Sequence, residues 1–531
     1  MLRHSLVLIV ICLIGGIIRV GDGYRILGIF PAPSISHQVV FRALMIGLKE
    51  AGHEVVVITS NPMNDPTLKN YTEIDVSFTY KDFKVNHFEN RANGIHWIDW
   101  FGTGHDVFVH MTDGIFSCPQ VKKLYAPNSN EKFDLVIVEM HYWPGLFTLA
   151  HRFDAPLIGI SSLDIPLNAH YAIGNPILSA DIMNWELDFM VSGELSFWRR
   201  LQAFFTTWRH LYWYRNEYLT IQQGIAEKHL GNGIPHIAEV ENNVSLVLIN
   251  CQFPITFARP YVPNVIMMGG LHLAKQDQEL PKDLKKFMDD ATDGFVYMSL
   301  GTNAKSALMP NQTLDAIKSA FSRLPYKVLW KYEDDFLPGK PENVFTMKWL
   351  PQQAVLAHPN LKVFVYQGGL QSTEEAITNA VPVIGLPVLA DQDSNVDKMV
   401  QLGTGKKLEI TKLDADEMLQ AITDVASDKS YKQKMIDTRT LMNDKSHNAL
   451  ENAIWWVEYV IRYKGAPHLH STAADLPWYK RQDMDMIAFV TAAFVLILNL
   501  ALFISYQLWK GTMFRNVKPA EEKIRKRKKI N

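Results

Sequence analysis

The sequence predicts an α/β fold, two facing Rossmann-like domains followed by a C-terminal transmembrane helix. Three observations predict it. Short β-rich runs alternate with helix-periodic segments, the pattern of parallel strands joined by crossover helices. That alternation occurs in two stretches separated by a polar linker, which gives two similar halves with a cleft between them. Met486–Ser505 then carries no charge over a length that spans a bilayer. A chain of 531 residues, 47% of them hydrophobic, can bury two cores. Its net charge of −2 offers no electrostatic footprint for nucleic acid.

Residues 1–23 have the makeup of a signal peptide: Arg3 and His4, the apolar run Leu6–Ile18, then Gly21-Asp22-Gly23 as a small-x-small cleavage site. The first domain is expected over 24–265. It opens with strand Tyr24–Phe30, loop Pro31–Ser36, helix His37–Gly52 and strand His53–Thr59. The pattern returns at Phe133–Glu139, Gly145–Phe153 and Pro156–Ile160. Inside this domain Ser192–Gly231 is rich in aromatic and basic residues. Such a stripe is either helix core or the wall of an apolar acceptor pocket pressed on a membrane surface.

A linker over 266–293 leads to the second domain, 294–465. Its first strand, Gly294–Thr302, ends in Ser299-Leu300-Gly301-Thr302, and the alternation continues through Tyr326–Tyr332, Val344–Trp349 and Asn395–Leu402 to the helix Ala449–Arg462. A juxtamembrane segment (466–485), the membrane helix (486–506) and a basic tail (507–531) follow. The lysine- and arginine-rich flank keeps the tail cytosolic, so the body is expected in a lumen. There the sequons at Asn70, Asn243 and Asn311 are glycosylation candidates. Cys118 and Cys251 remain after signal removal and either pair or stay free, and no cysteine–histidine spacing suggests a metal site.

The most informative stretch is Trp349–Gln392. Strand Leu361–Tyr366, then Gly368-Gly369, then the helix-permissive Gln371–Ala380 would aim backbone N–H groups and a helix dipole at an anion. Trp349 offers a flat face for a base, and Glu375, Asp391 and Gln392 offer partners for hydroxyls. Those are the parts of a nucleotide-sugar. An ordinary crossover with a surface glycine turn would carry the same glycines. The full register is more specific: Trp349, Pro351, Gln352, His358-Pro359, Gly368-Gly369, Ser372, Glu375-Ala376, Val381-Pro382, Gly385, Pro387, Asp391 and Gln392. In that order it resembles the UDP-glycosyltransferase family, particularly its animal, insect-like membrane-bound members.

The resemblance implies a GT-B arrangement and an inverting transfer of a hexose, glucose rather than glucuronate, from a UDP-sugar to a hydroxyl of a small lipophilic acceptor such as a phenol, flavonoid or steroid. The UDP-sugar is a co-substrate, and no cofactor or metal is implied. By carry-over, His37 is the general base, a role imidazole fills near neutral pH. Glu139 stands where the family has an aspartate to orient that histidine, with Asp106 and Asp113 as fallbacks. The UDP contacts would be Ser299, Gly301, Thr302, Trp349, Leu350, Gln352, Gln367, Gly368, Gly369, Ser372 and Glu375. Asp391 and Gln392 would hold the sugar. Gln367 occupies a position where the family usually has histidine, and an amide brings no positive charge to the leaving phosphate. Lys528-Lys529-Ile530-Asn531 resembles a dilysine retrieval signal of the endoplasmic reticulum, which implies a single-pass type I protein there. A membrane-anchored pseudoenzyme that binds ligands or partner transferases is the alternative, and a homo-oligomer is compatible with the sequence.

Overall fold

The computed structural model describes residues 23–83, 85–95, 97–177, 184–187, 196–273 and 280–529, without the side chains of residues 103 and 514–523. The predicted signal peptide therefore lies outside the described residues except for Gly23. The chain forms two compact units, the first ending at Ala474 and the second beginning at Asp475.

The first unit holds two parallel sheets. Among the described residues the first comprises β1 (Arg25–Phe30), β2 (Glu54–Thr59), β3 (Tyr71–Asp75), β4 (Leu135–Glu139), β5 (Leu157–Ser161), β6 (Leu246–Ile249) and β7 (Val265–Met267), in the order β3-β2-β1-β4-β5-β6-β7. The second comprises β8 (Phe295–Ser299), β9 (Lys327–Lys331), β10 (Val344–Met347), β11 (Leu361–Tyr366), β12 (Val383–Gly385) and β13 (Gly405–Lys407), in the order β10-β9-β8-β11-β12-β13. Central strands are apolar along their length because helices cover both faces of a parallel sheet. Alternate residues then serve different cores. Leu27, Ile29, Val136 and Val138 pack with Tyr142, Trp143, Tyr214 and Tyr218. Ile26, Leu135 and Ile137 pack on the other face with Val40, Phe41, Leu44 and Leu48 of helix Ile35–Glu50.

The helix Ala449–Arg462 has the predicted bounds but belongs to the first sheet's core, where its Ala453, Val457 and Val460 are buried. Gly47 permits the approach: a Cβ there would sit 2.9 Å from Leu450 Cδ1 and 3.1 Å from Ile454 Cδ1. The range 294–465 thus crosses back from the second sheet to the first, driven by the helix's apolar face. Within 266–293 lies the helix Lys282–Asp289, which buries Leu284 and Met288 in the second sheet's core. Residues 145–153 form a 3-10 turn at Pro144–Phe147 and a short helix at Thr148–Arg152 rather than one helix. Cys118 and Cys251 are both free thiols.

The second unit contains the helix Met484–Arg527, whose segment Met484–Met513 is long and apolar enough to cross a membrane. Its apolar side chains are exposed, as expected of a surface meant for lipid rather than a protein core.

Candidate active site

Strand order reverses between β1 and β4 in the first sheet, and between β8 and β11 in the second. At such a switch point the neighbouring loops diverge and open a crevice at the carboxyl ends of the strands. The predicted base loop follows β1, and Glu139 is the last residue of β4. Ser299 ends β8 with Gly301 and Thr302 just beyond it, and Gln367-Gly368-Gly369 follows β11.

The loop after β1 is pinned by Gln38, whose Nε2 donates to the Phe30 and Ala32 carbonyls at 2.9 and 3.1 Å. This places His37 in the first turn of helix Ile35–Glu50. Its Nδ1 lies 2.7 Å from Glu139 Oε1, and the side chains are 17% and 1% exposed respectively. Glu139 Oε2 accepts from the Ala32 N–H at 3.1 Å, so both carboxylate oxygens are engaged. A carboxylate on Nδ1 sets the tautomer with the proton on that nitrogen and leaves Nε2 as a base. The extra methylene of glutamate spans the gap. The fallback carboxylates sit elsewhere: Asp113 pairs with Lys228 and His229, both at 2.7 Å, and Asp106 lies by His105.

Opposite His37, Gly368 has φ +95°, and a Cβ would meet Val396 Cγ2 at 2.5 Å and the Gln392 carbonyl at 2.8 Å. Gly369 is the N-cap of the helix Leu370–Thr378, and the Leu370 N–H is drawn to the Asp391 carboxylate, so a negative charge already sits at the helix start, where an anion is favoured. Gly301 also has positive φ, +73°, and lies against the Gln367 amide. Thr302 Oγ1 and Gln367 Oε1 are buried without a partner among the described residues. Hydroxyl and amide are groups a phosphate would satisfy, the amide through its NH2 after a half-turn. Ser299 Oγ is occupied, accepting from the Gly301 N–H at 3.3 Å.

Gln352 organises the neighbouring corner. It accepts from the Tyr297 hydroxyl at 3.1 Å and donates to Ser372 Oγ at 2.9 Å and Glu375 Oε2 at 2.7 Å. Gln353 donates to the other Glu375 oxygen at 3.2 Å. Burial pushes the Glu375 carboxyl up to about 7 against these donors. Trp349 keeps 55% of its surface exposed, with the Lys331 ammonium 5.8 Å from its ring centre. Burial raises Asp391 to about 6, held from going higher by the Asn395 amide and the His37 imidazole. Gln392 Oε1 accepts from the N–H groups of Val388 and Leu389 at 2.8 and 3.0 Å, which fixes the loop carrying Asp391.

One cleft of about 250 Å³ joins these groups. His37, Ser299, Gly301, Thr302, Trp349, Leu350, Gln352, Gln367, Gly369, Ser372, Glu375, Asp391 and Gln392 all line it. Glu139 stands behind His37, and Gly368 shapes the turn without lining the cleft. The sequons Asn70, Asn243 and Asn311 are exposed and apart from it. The far end is aromatic, with Phe83, Trp97, Phe108, His141, Trp143 and Trp185. Sequence reasoning missed these six; Trp97 and Phe108 sit on the helices Trp97–Gly104 and Asp106–Ser117 and the others in loops, and their only local signal was aromatic content. It also missed Gln353, although that residue adjoins Gln352. The aromatic helix Phe197–Trp213 contributes no lining residue and instead exposes Trp198, Phe205 and Tyr212. Among the described residues no group of three or more His, Cys, Asp or Glu could hold a metal ion.

Comparison with known proteins agrees with this geometry. Residues 28–518 match the model of a family described as UDP-glucoronosyl and UDP-glucosyl transferase. The chain is 32% identical over 513 residues to UDP-glycosyltransferase UGT5 of Dactylopius coccus, covering 94% of this chain and 95% of that one. It is 34% identical to UDP-glucosyltransferase 2 of the same insect over 500 residues, 92% of this chain and 93% of that one. Among solved structures, a UDP-glucose: anthocyanidin 3-O-glucosyltransferase in complex with UDP has a similar fold, with TM-score 0.54, 15% identity, and 83% of this chain and all of that one covered.

Proposed function

The chain belongs to the UDP-glucuronosyl and UDP-glucosyl transferase family and has its GT-B fold, and from that premise we propose that it transfers glucose from UDP-glucose to a hydroxyl of a small lipophilic acceptor with inversion. The observation that carries this reading is the His37–Glu139 pair, 2.7 Å apart, on the same cleft as Trp349, Glu375, Asp391 and Gln392. His37 Nε2 takes the acceptor proton. The acceptor oxygen's electron pair forms the new bond to the anomeric carbon, while the bond to the β-phosphate oxygen breaks and its electrons leave with UDP. Glu139 stabilises the imidazolium that results.

Trp349 stacks on uracil, and Glu375 accepts from the ribose hydroxyls. The Leu370–Thr378 helix start, Ser372 and Thr302 receive the diphosphate, where negative charge grows in the transition state. Asp391 and Gln392 hold the sugar hydroxyls. The reaction needs no metal in this reading. Gln367 supplies only neutral hydrogen bonds, which makes UDP release easier and charge stabilisation weaker than histidine would. The protein is anchored by Met484–Met513 in the endoplasmic reticulum membrane with its body in the lumen, glycosylated at Asn70, Asn243 and Asn311.

The test uses membranes carrying the full chain, with UDP-glucose or UDP-glucuronate and a panel of phenols and steroids. Wild type is expected to form β-glucosides, and His37→Ala to form none while binding UDP equally well. An α-linked product would overturn the single displacement. Preference for UDP-glucuronate would overturn the sugar.

A further inference from the structure

The groups proposed to hold UDP stand on the second sheet and its loops, whereas His37 and Glu139 stand on the first. Transfer therefore needs the two halves held in one relative position, because a displacement of about 1 Å at the reacting atoms can cost roughly 10²-fold in rate. The helix Leu370–Thr378 faces both halves at once. Its Ser372 and Glu375, three residues apart, form one row and meet Gln352. Gln371 and Glu374, one position earlier, form the next row, and that row reaches into the first half.

Gln371 Nε2 donates to the Ser162 carbonyl, just beyond β5, at 2.7 Å. His272, in the 3-10 turn Leu271–Leu273 after β7, donates from Nε2 to the Gln371 carbonyl at 3.2 Å. Glu374 is fully buried and takes two amides from the segment after β6. Asn250 Nδ2 donates to its Oε2 at 2.9 Å, and Gln252 Nε2 to its Oε1 at 2.5 Å. Asn250 Oδ1 accepts from the Gly270 N–H at 3.1 Å, which turns its NH2 toward Glu374. Burying a carboxylate is costly, and an apolar side chain of similar volume is often at least as stabilising in such a place.

We propose that Glu374 is a positioning residue: through Asn250 and Gln252, with Gln371 beside it, it locks the helix that receives the diphosphate to the half that carries His37. This deepens the transferase reading and rests on it for the step that is positioned. The lock needs hydrogen-bonding shape more than charge. Burial pushes Glu374 up to about 7 against its amide donors, so its neutral form, which glutamine resembles, is within reach. A glutamine there would accept from Asn250 and donate to Gln252 Oε1, which has no partner among the described residues, once the Gln252 amide turns over.

The experiment compares wild type with Glu374→Leu, Glu374→Gln and Gln252→Met, each as the full chain in detergent. UDP affinity is read by calorimetry, kcat with saturating UDP-glucose and a phenol, and amide hydrogen exchange over 246–252 and 370–378 by mass spectrometry. Glu374→Leu is expected to keep UDP affinity within about threefold, because the nucleotide contacts stay in one half, while kcat falls about 10- to 100-fold and exchange in both segments quickens at least tenfold. Gln252→Met, made in the opposite half, should show the same split, and adding it to Glu374→Leu should cost little more. Glu374→Gln should recover kcat to within about threefold of wild type. Wild-type kcat and exchange in Glu374→Leu overturn the inference, as do equal losses of UDP affinity and kcat or a failure of glutamine to rescue. If Glu374→Leu does not fold, Gln252→Met decides by the same split. Quickened exchange with no glucoside even from wild type keeps the lock and rejects the transferase; glucoside formed at unchanged kcat and exchange does the reverse.

Discussion

At the scale of single residues, the site depends on carboxylates whose surroundings determine what they do. Glu139 is fully buried yet has a donor on each oxygen, so it orients His37. Glu139→Gln keeps the shape but can present its NH2 to the imidazole and favour the wrong tautomer; kcat is expected to fall by roughly 10²–10⁴-fold with little change in the KM for UDP-glucose, measured by steady-state kinetics. Glu375 and Asp391 are raised by burial to about 7 and about 6. On the proposed reading their ionised forms accept the ligand hydroxyls, so affinity is full above each value and lost as pH falls through it. Calorimetric titration should therefore show UDP binding weakening as pH falls through about 7. The additional affinity of UDP-glucose over UDP should fade through about 6, and Asp391→Asn should abolish that second dependence.

At the scale of elements, the turn between β11 and helix Leu370–Thr378 is set by a backbone that only glycine adopts without strain. Gly368 combines φ +95° with a Cβ position already filled by Val396 and the Gln392 carbonyl. Gly368→Ala is expected to push this turn and the Gln392–Gln401 helix apart and weaken UDP binding at least tenfold, read by the same titration, while far-ultraviolet circular dichroism stays unchanged. The helix start itself was legible from strand, paired glycines and polar helix in sequence. The aromatic end was not, because Phe83, His141 and Trp185 come from separate loops and Trp97 from the start of the helix Trp97–Gly104, with no shared period.

At the scale of the whole first unit, the two halves are clamped beside the Asp391 loop by Arg91. From helix His87–Ala92 it meets Asp393 at 2.7 and 3.2 Å and Glu409 at 2.9 and 2.8 Å, both in the second half. Asp393 is two residues beyond Asp391, so the clamp also steadies the loop that carries Asp391. Truncating one partner of a largely buried, hydrogen-bonded charge pair costs about 2–5 kcal/mol, much of it from the carboxylates left behind. Arg91→Met should lower Tm in thermal unfolding and raise the KM for UDP-glucose, although Asp393 keeps Lys407 at 2.8 Å.

By itself the sequence determined what lies within a short window of chain. Alternating apolar runs specified two sets of parallel strands, an uncharged run specified a membrane-length helix, and the order of residues from Trp349 to Gln392 specified the family. Period and spacing are local properties, so no tertiary knowledge was needed. Tertiary structure alone decided which strands are neighbours, and with that where the crevices open. It brought His37 to Glu139 across 102 residues and Arg91 to Asp393 across 302, and it returned Ala449–Arg462 to the first sheet. Such contacts arise when sheets choose their strand order and helices bury their apolar faces, and no local pattern in the chain encodes that choice.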